Sequence, residues 1–461
     1  MLEALRDWGR RVLPPVPPLD RRARWWLAGI IAVGAILRLV WAFRAEEPVA
    51  LRDPLLYLVL GDHIASGDGY SYGPGLDQGA TAYYPPGYPA LLGAAVWAVR
   101  LLPGDVTTFG VAIGLNVVLS VATIGLVFVL ARRLAGPKVG MVAAAIWALW
   151  PNLIFHSGIV LTETLFLFLF VLLLIVALGH PGAARAPGAR RLVAIGVLFG
   201  LCVLVRPVTL VAAPAFLVLW WGPAVRTVLW RSAVALAAVV AVMLPWAIRS
   251  TVVMDAPVAL SLNLGDNLCL GHNPGATGGF VDLAAYCYTG EGLRRPEYET
   301  RRQSENISRA LHYIRDNPGT TLRRTVSKGR ITLASDADGL DVAEDFGERP
   351  IMSDGTRSVL NFAANAFYAT VVVAGLVGAV LLVRRADPAR RGLFLVVVGV
   401  AQLLSPLATF GDPRFKMPMY PTIAVAAAVA LVAAAEWLRR RRSSSAAPRE
   451  DRGVPAGAAT G

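Results

Sequence analysis

Blocks of apolar residues, separated by short loops rich in arginine, recur along this chain from residue 25 to residue 438. A helix needs about twenty mostly apolar residues to cross the hydrocarbon of a bilayer, and these blocks approach or reach that length. The pattern predicts ten spans, at 25–43, 109–131, 139–155, 164–178, 192–205, 207–221, 232–248, 359–383, 392–409 and 417–438. The blocks at 192–205 and 207–221 are short for a full bilayer, which fits a thinned or water-filled centre. Arginine and lysine gather at 132–138, 185–191, 226–231, 384–391 and 439–442, and the positive-inside tendency places those loops in the cytoplasm. The run 87–102 is apolar as well, but a crossing there would carry 132–138 to the outer side. It reads instead as an interfacial or re-entrant helix on the outer face.

The predicted fold is therefore an all-α polytopic membrane protein of about ten transmembrane helices, with interfacial helices in the first outer loop and a small extracytoplasmic subdomain. A basic leader (1–24) precedes a transmembrane module (25–248) whose first outer loop covers 44–108. An outer subdomain (249–358), C-terminal transmembrane helices (359–438) and a Ser/Ala/Pro/Gly-rich tail (439–461) follow. The tail is too poor in apolar residues to fold on its own. Within the outer subdomain, 263–279 reads as turn-rich and 298–317 as a helix.

The first outer loop has the most structured pattern. Asp53 can cap a helix that begins at Pro54 and stops at Gly67. Leu56, Val59, Leu60, His63 and Ile64 then share one side. That helix is too short to span, so it would lie along the surface and hold a carboxylate at the mouth of the bundle. The loop closes on Tyr83-Tyr84-Pro85-Pro86-Gly87-Tyr88-Pro89. Arg38 lies inside the first span, where a cation either faces protein or snorkels to the interface.

Composition supports the membrane reading, with 56% hydrophobic and only 16% charged residues against roughly a quarter charged in soluble domains. The formal net charge of +13 does not indicate nucleic acid, because the basic residues serve as topology signals in short loops. Cys269 and Cys287 both fall in the outer subdomain, while Cys202 lies in a span. A 269–287 disulfide is a candidate that spacing alone leaves open.

Polar groups at the outer ends of the spans carry the candidate chemistry. Glu163 stands in Leu161-Thr162-Glu163-Thr164, with His156 shortly before it. Arg206 precedes Pro207, Arg249 follows Leu244-Pro245-Trp246-Ala247-Ile248, and Arg414 and Lys416 sit in Gly411-Asp412-Pro413-Arg414-Phe415-Lys416-Met417-Pro418. Singly, each reads as a cap or an interfacial anchor. Together they put several cations on the same side as two carboxylates, as a lipid-phosphate site would require.

In this ordered series, spread over about residues 25–435, the chain resembles the polytopic GT-C glycosyltransferases of the protein-O-mannosyltransferase and aminoarabinose-transferase type (glycosyltransferase family 39-like). The residues that carry the resemblance are Asp53 with Tyr57, Gly67 and Tyr70, then Pro85–Pro89, the basic loop 132–138, Leu161–Phe166, Val205-Arg206-Pro207, Leu244–Arg249 and Arg414–Pro418. The resemblance implies transfer of a sugar from a polyprenyl-phosphate donor to an extracytoplasmic protein, lipid or glycan acceptor, with inversion. It implies a plasma-membrane protein whose active site faces outward and whose partners include membrane lipids. Asp53 and Glu163 match the family's catalytic acids. Tyr57, Tyr83, Tyr84, His156, Arg206, Arg249 and Arg414 are the candidate substrate-binding residues, with core packing the other reading of the tyrosines. Many relatives carry two adjacent acids in the first loop, whereas Asp53 is flanked by Arg52 and Pro54. That departure counts against a metal site, and either the arginines or a divalent metal ion shared with Glu163 would stabilise the leaving phosphate.

A transporter or flippase of a lipid-linked sugar would show similar spans and outer charges. No internal repeat or paired broken helices of the transporter kind are visible in the two halves. The predicted topology puts a reporter fused after Gly136 and one fused near Gly290 on opposite sides of the membrane. The same side for both would overturn the interfacial reading of 87–102.

Overall fold

The computed structural model describes residues 17–49, 52–72, 79–179, 187–222, 224–281, 283–289, 297–345, 347, 350–384 and 390–445. The first part of the leader, Arg185, Arg385 and most of the tail lie outside these residues. The chain is almost entirely helical, as long apolar runs must be when the backbone has to satisfy its own hydrogen bonds. Helices α1 (Arg21–Ala42), α2 (Asp53–Ser66), α3 (Gly87–Arg100), α4 (Thr108–Ala135), α5 (Pro137–Leu149), α6 (Pro151–His156), α7 (Glu163–Leu178) and α8 (Ala189–Val205) come first. A 3₁₀ segment, Pro207–Ala215, leads into α9 (Phe216–Trp220) and α10 (Val225–Met254). The outer segment holds α11 (Leu264–Gly271), α12 (Leu283–Tyr286), α13 (Glu297–Asp316), α14 (Pro318–Ala334) and α15 (Asp338–Asp345). Helices α16 (Asp354–Arg384), α17 (Arg391–Ala401) and α18 (Leu404–Ala408), a second 3₁₀ segment (Pro413–Met419) and α19 (Tyr420–Ser445) complete the chain. A two-stranded antiparallel ribbon pairs β1 (Ser71–Tyr72) with β2 (Gly79–Ala80).

Among the described residues, six helical stretches are long and apolar enough to cross a membrane: Arg21–Ala42, Thr108–Ala135, Val225–Met254, Asp354–Arg384, Arg391–Ala408 and Pro413–Ser443. Three further apolar stretches are shorter, Pro137–Leu149, Glu163–Leu178 and Pro207–Trp220. Proline explains most departures from the expected spans. The stretch expected at 139–155 breaks between Leu149 and Pro151. The stretch at 207–221 opens as a 3₁₀ turn, with Pro207 at its start and Pro214 inside it. Proline has no N–H to donate and crowds the preceding turn. The stretch at 392–409 is divided as well, at 402–403.

Arg38 is fully buried, which settles its side in favour of protein. Its Nε donates to Ser120 Oγ at 2.7 Å, and its Nη1 donates to the Gly34 and Ala148 carbonyls at 3.0 Å. Its Nη2 donates to the Trp147 carbonyl at 3.2 Å. The Trp147 and Ala148 carbonyls belong to the last turn of α5, where the helix lacks partners of its own and a cation complements the dipole. The guanidinium thus closes α5 and joins it to α1 and α4. Elsewhere small residues permit close contact: on α8, a Cβ on Gly196 would lie 2.2 Å from the Ala235 carbonyl oxygen, and one on Gly200 3.0 Å from Val242. This Gly-x-x-x-Gly face lets α8 and α10 approach backbone to backbone.

In the first loop α2 packs on α3, as its short length demands, and the buried side is Pro54, Tyr57, Leu58, Leu60 and Gly61. Of the expected stripe Leu56, Val59, Leu60, His63 and Ile64, Leu60 is fully buried and the other four are partly covered. The helix opens on Asp53 itself, and its first turn carries no side-chain cap. Gly67 ends it in the left-handed conformation, φ 89°.

The outer segment grips this loop. Glu299 is buried and accepts from Thr81 Oγ1 at 2.5 Å and from the Ala82 N–H at 2.9 Å. Asp266 accepts from Tyr83 Oη at 2.6 Å and Asn306 Nδ2 at 2.7 Å, and pairs with Arg302 at 2.7 Å. The expected turn-rich run 263–279 contains α11, which carries Asp266 and is tied to Cys287 by a disulfide at Cys269. Both cysteines are buried. In native membranes they should resist alkylation until a reductant is added; free reactivity of both without reductant would contradict the pairing.

Candidate active site

Four elements bring charges together at one end of the bundle: the start of α2, the start of α7, the 3₁₀ turn after α8 and the 3₁₀ turn before α19. Each begins where proline or a helix start exposes backbone N–H groups, so a short polar residue there has a local reason to be present.

Asp53 accepts from Tyr84 Oη at 2.7 Å on one oxygen, and its other oxygen lies 3.4 Å from Arg414 Nη1. Its carboxylate therefore serves the site rather than the helix. Arg414 also approaches Asp412, with Nε 3.5 Å from Oδ2. Glu163 is paired with Arg206, and Thr162 lies beside both. Access separates the two acids: the Asp53 side chain is 34% exposed, that of Glu163 only 3%. Asp53 is partly open to solvent, whereas Glu163 is screened and paired with Arg206.

Tyr57 stands among all four charges. Burial, reinforced by Asp53 and Glu163, holds its phenol well above the usual range, so it remains a donor. Its ring meets Tyr84 at 4.9 Å and Tyr88 at 5.6 Å between centroids, a packed aromatic wall. Phe415 lies between the cations, with its ring 5.9 Å from Arg206 and 5.6 Å from Arg414. Such contacts hold a guanidinium in orientation.

The remaining expected residues lie on other partners. Tyr83 turns to Asp266 in the outer segment. Arg249 donates to the Thr81 and Tyr70 carbonyls at 2.5 and 2.8 Å and lies over the Tyr70 and Trp246 rings. It holds the loop against α10 and is not joined to Asp53. His156 pairs with Asp338, Nε2 to Oδ2, at 3.0 Å, in a fully buried position. Burial alone would raise the Asp338 carboxyl, but the hydrogen bond and charge of His156 outweigh it and hold it at about 2.

Sequence reasoning missed a polar network next to the site. Asp338 also accepts from Asn152 Nδ2 at 2.8 Å. Asp336 accepts from Trp150 Nε1 at 2.7 Å, is bonded by Tyr420 Oη, and pairs with Lys416 at 3.2 Å. The available signal was Ser335-Asp336-Ala337-Asp338-Gly339, two acids in a small-residue run where the outer segment returns to the bundle. Among the described residues, no three of His, Cys, Asp and Glu converge as ligands for a metal ion.

No family model matches the chain, and no curated protein matches its sequence. Solved structures match its shape. The archaeal oligosaccharyltransferase AglB from Archaeoglobus fulgidus, in complex with an inhibitory peptide and a dolichol-phosphate, aligns with a TM-score of 0.52 at 16% identity, over 94% of this chain and 53% of that one. The oligosaccharyltransferase of the same organism in complex with Zn and sulfate gives 0.51 at 16% identity, over 90% and 50%. ArnT from Cupriavidus metallidurans bound to undecaprenyl phosphate gives 0.41 at 16% identity, over 92% and 81%. The chain thus spans about half the length of the archaeal enzyme. The apolar helices and the shared architecture make it a multi-pass membrane protein that shares its fold with the archaeal oligosaccharyltransferase.

Proposed function

We propose that the chain is an integral-membrane glycosyltransferase that moves a sugar from a polyprenyl-phosphate donor to a hydroxyl of an extracytoplasmic protein, lipid or glycan acceptor. The observation that supports it most is the accessible Asp53 carboxylate, held by Tyr84 on one oxygen and facing Arg414 with the other. The dolichol-phosphate bound to the archaeal enzyme of the same fold is consistent with a lipid-phosphate ligand. On this reading the site faces out of the plasma membrane, residues 25–248 form the catalytic module, 249–358 the outer subdomain and 359–438 the C-terminal transmembrane helices.

Asp53 takes the proton of the acceptor hydroxyl as its oxygen attacks the anomeric carbon. The new glycosidic bond forms on the face opposite the departing group, which gives inversion. The bond from the anomeric carbon to the phosphate oxygen breaks, and polyprenyl phosphate leaves with that electron pair. It is a good anionic leaving group and needs no proton. Charge therefore develops on the phosphate, where Arg414 and Arg206 supply fixed donors in a partly desolvated site. Glu163 keeps Arg206 oriented and does not reach the substrate. Tyr57 and Tyr84 line the sugar position.

A divalent ion fits these residues poorly. Asp53 and Glu163 each already face a guanidinium, which would repel a second cation, and among the described residues no third His, Cys, Asp or Glu joins them. No step is routed through one.

Asp53→Asn keeps an acceptor for Tyr84 Oη and removes no helix cap, so the variant should fold and bind the donor. Its transfer rate at matched expression and thermal stability should fall on the order of a hundredfold to ten-thousandfold, the usual loss for a general base. Near-wild-type transfer would leave the base unassigned.

A further inference from the structure

The second 3₁₀ segment is short, and its geometry gives it three separate faces. A 3₁₀ helix has 3.0 residues per turn, so three consecutive side chains leave the axis about 120° apart. Here those residues are Arg414, Phe415 and Lys416. Arg414 goes to Asp53 and Asp412, and Phe415 lies under Arg206 and beside Phe410. Lys416 goes to Asp336. The start of the segment is fixed by Asp412, whose carboxylate accepts from the Arg414 N–H at 3.0 Å. Any rotation of the segment about its axis would move all three side chains together.

Lys416 opposes that rotation. Its side chain and that of Asp336 are both 0% exposed. Besides Asp336, its ammonium donates to the Pro413 carbonyl at 2.9 Å and to the Ser335 carbonyl, and it lies 5.1 Å from the Tyr368 ring centre. Asp336 is held in turn by Trp150 from the α5–α6 break and by Tyr420 from α19, and its own N–H donates to Asn365 on α16 at 2.8 Å. A buried ion pair of this kind is a weak source of stability, since apolar side chains of the same volume often do as well. Its value lies in direction, because the observed arrangement gives the ammonium Asp336 and two backbone carbonyls at once.

We propose that Lys416 is a positioning residue. Its buried pair with Asp336 sets the rotation of the 3₁₀ turn and so aims Arg414 at the phosphate of the lipid donor beside Asp53. This rests on the glycosyltransfer reading for the identity of the ligand. It adds that the last residues of the outer segment reach the phosphate site through Asp336.

The test must remove the pair without burying a lone charge. K416M/D336N does so, because the asparagine Oδ1 can still accept from Trp150 while its Nδ2 donates to the Tyr420 hydroxyl oxygen. The probe is farnesyl phosphate, a short polyprenyl monophosphate, titrated into purified wild type, R414A, K416M/D336N and the combined triple variant. Thermal unfolding of each is measured in the same detergent. We expect K416M/D336N to unfold within a few degrees of wild type yet bind the probe about tenfold to a hundredfold more weakly, as for losing an ionic hydrogen bond. The triple variant should bind no more weakly than R414A, because a clamp that acts through Arg414 has nothing left to aim once Arg414 is gone. Losses that multiply in the triple variant would overturn the proposal, as would full affinity in K416M/D336N or in R414A. Absence of sugar transfer by wild type that binds the probe with this same coupling would overturn the glycosyltransfer reading and leave the clamp standing.

Discussion

A guanidinium at the end of an apolar bundle has to be surrounded by acceptors, and that requirement draws distant parts of this chain to one place. Arg414 meets Asp53 across 361 residues of sequence, and Arg206 meets Glu163 next to it. The first outer loop, two outer helix ends and the last turn before α19 are held in register by these pairings. In water such pairs are weak, but at the dry edge of a bundle each charge is costly without its partner. The geometry is therefore maintained by the penalty for separation.

The outer segment acts as a frame for the same place. Glu299 holds the backbone at Thr81 and Ala82, Asp266 holds Tyr83, and Arg249 fixes Tyr70 and Thr81 from the side of α10. Tyr84, which bonds Asp53, follows immediately. Asp336 and Asp338 at the far end of the segment close the opposite side. The polar segment 249–358 thus supports the first loop at two points and the last 3₁₀ turn at a third.

Much of this was legible in the sequence, and the reasons are physical. Asp53, Glu163, Arg206 and Arg414 each stand at a helix start or beside a proline, where apolar blocks end and a polar residue is conspicuous. The helical class followed from the length of those blocks. The breaks at Pro151 and Pro207 were visible as prolines, but their effect depended on neighbours that could take up the freed carbonyls, as Arg38 does at Trp147 and Ala148. Arg249 at the end of a span and Tyr83 in the first loop had suitable residue types, yet local chain direction turned them to backbone carbonyls and to Asp266. Asp336, Asp338 and Asn152 could not be found by periodicity, because their meaning comes from a tertiary meeting of segments some 180 residues apart. The buried side of α2 keeps Leu60 of the apolar stripe but turns toward Tyr57 and Gly61, because Gly61 lets α3 come close, with Leu92 only 2.8 Å from where a Cβ would be.

The acceptors around Arg38 also bear on how the chain is made. Of its four partners, one lies on α1 itself, one on α4 and two on α5. When α1 first leaves the ribosome the other three do not yet exist, and an arginine alone in lipid is unfavourable. The first helix is left to snorkel or to wait beside the insertion machinery until α5 arrives, more than a hundred residues later. Biogenesis then has a checkpoint in the order of synthesis: an amino-terminal helix that becomes a settled membrane resident only when a later helix reaches its place.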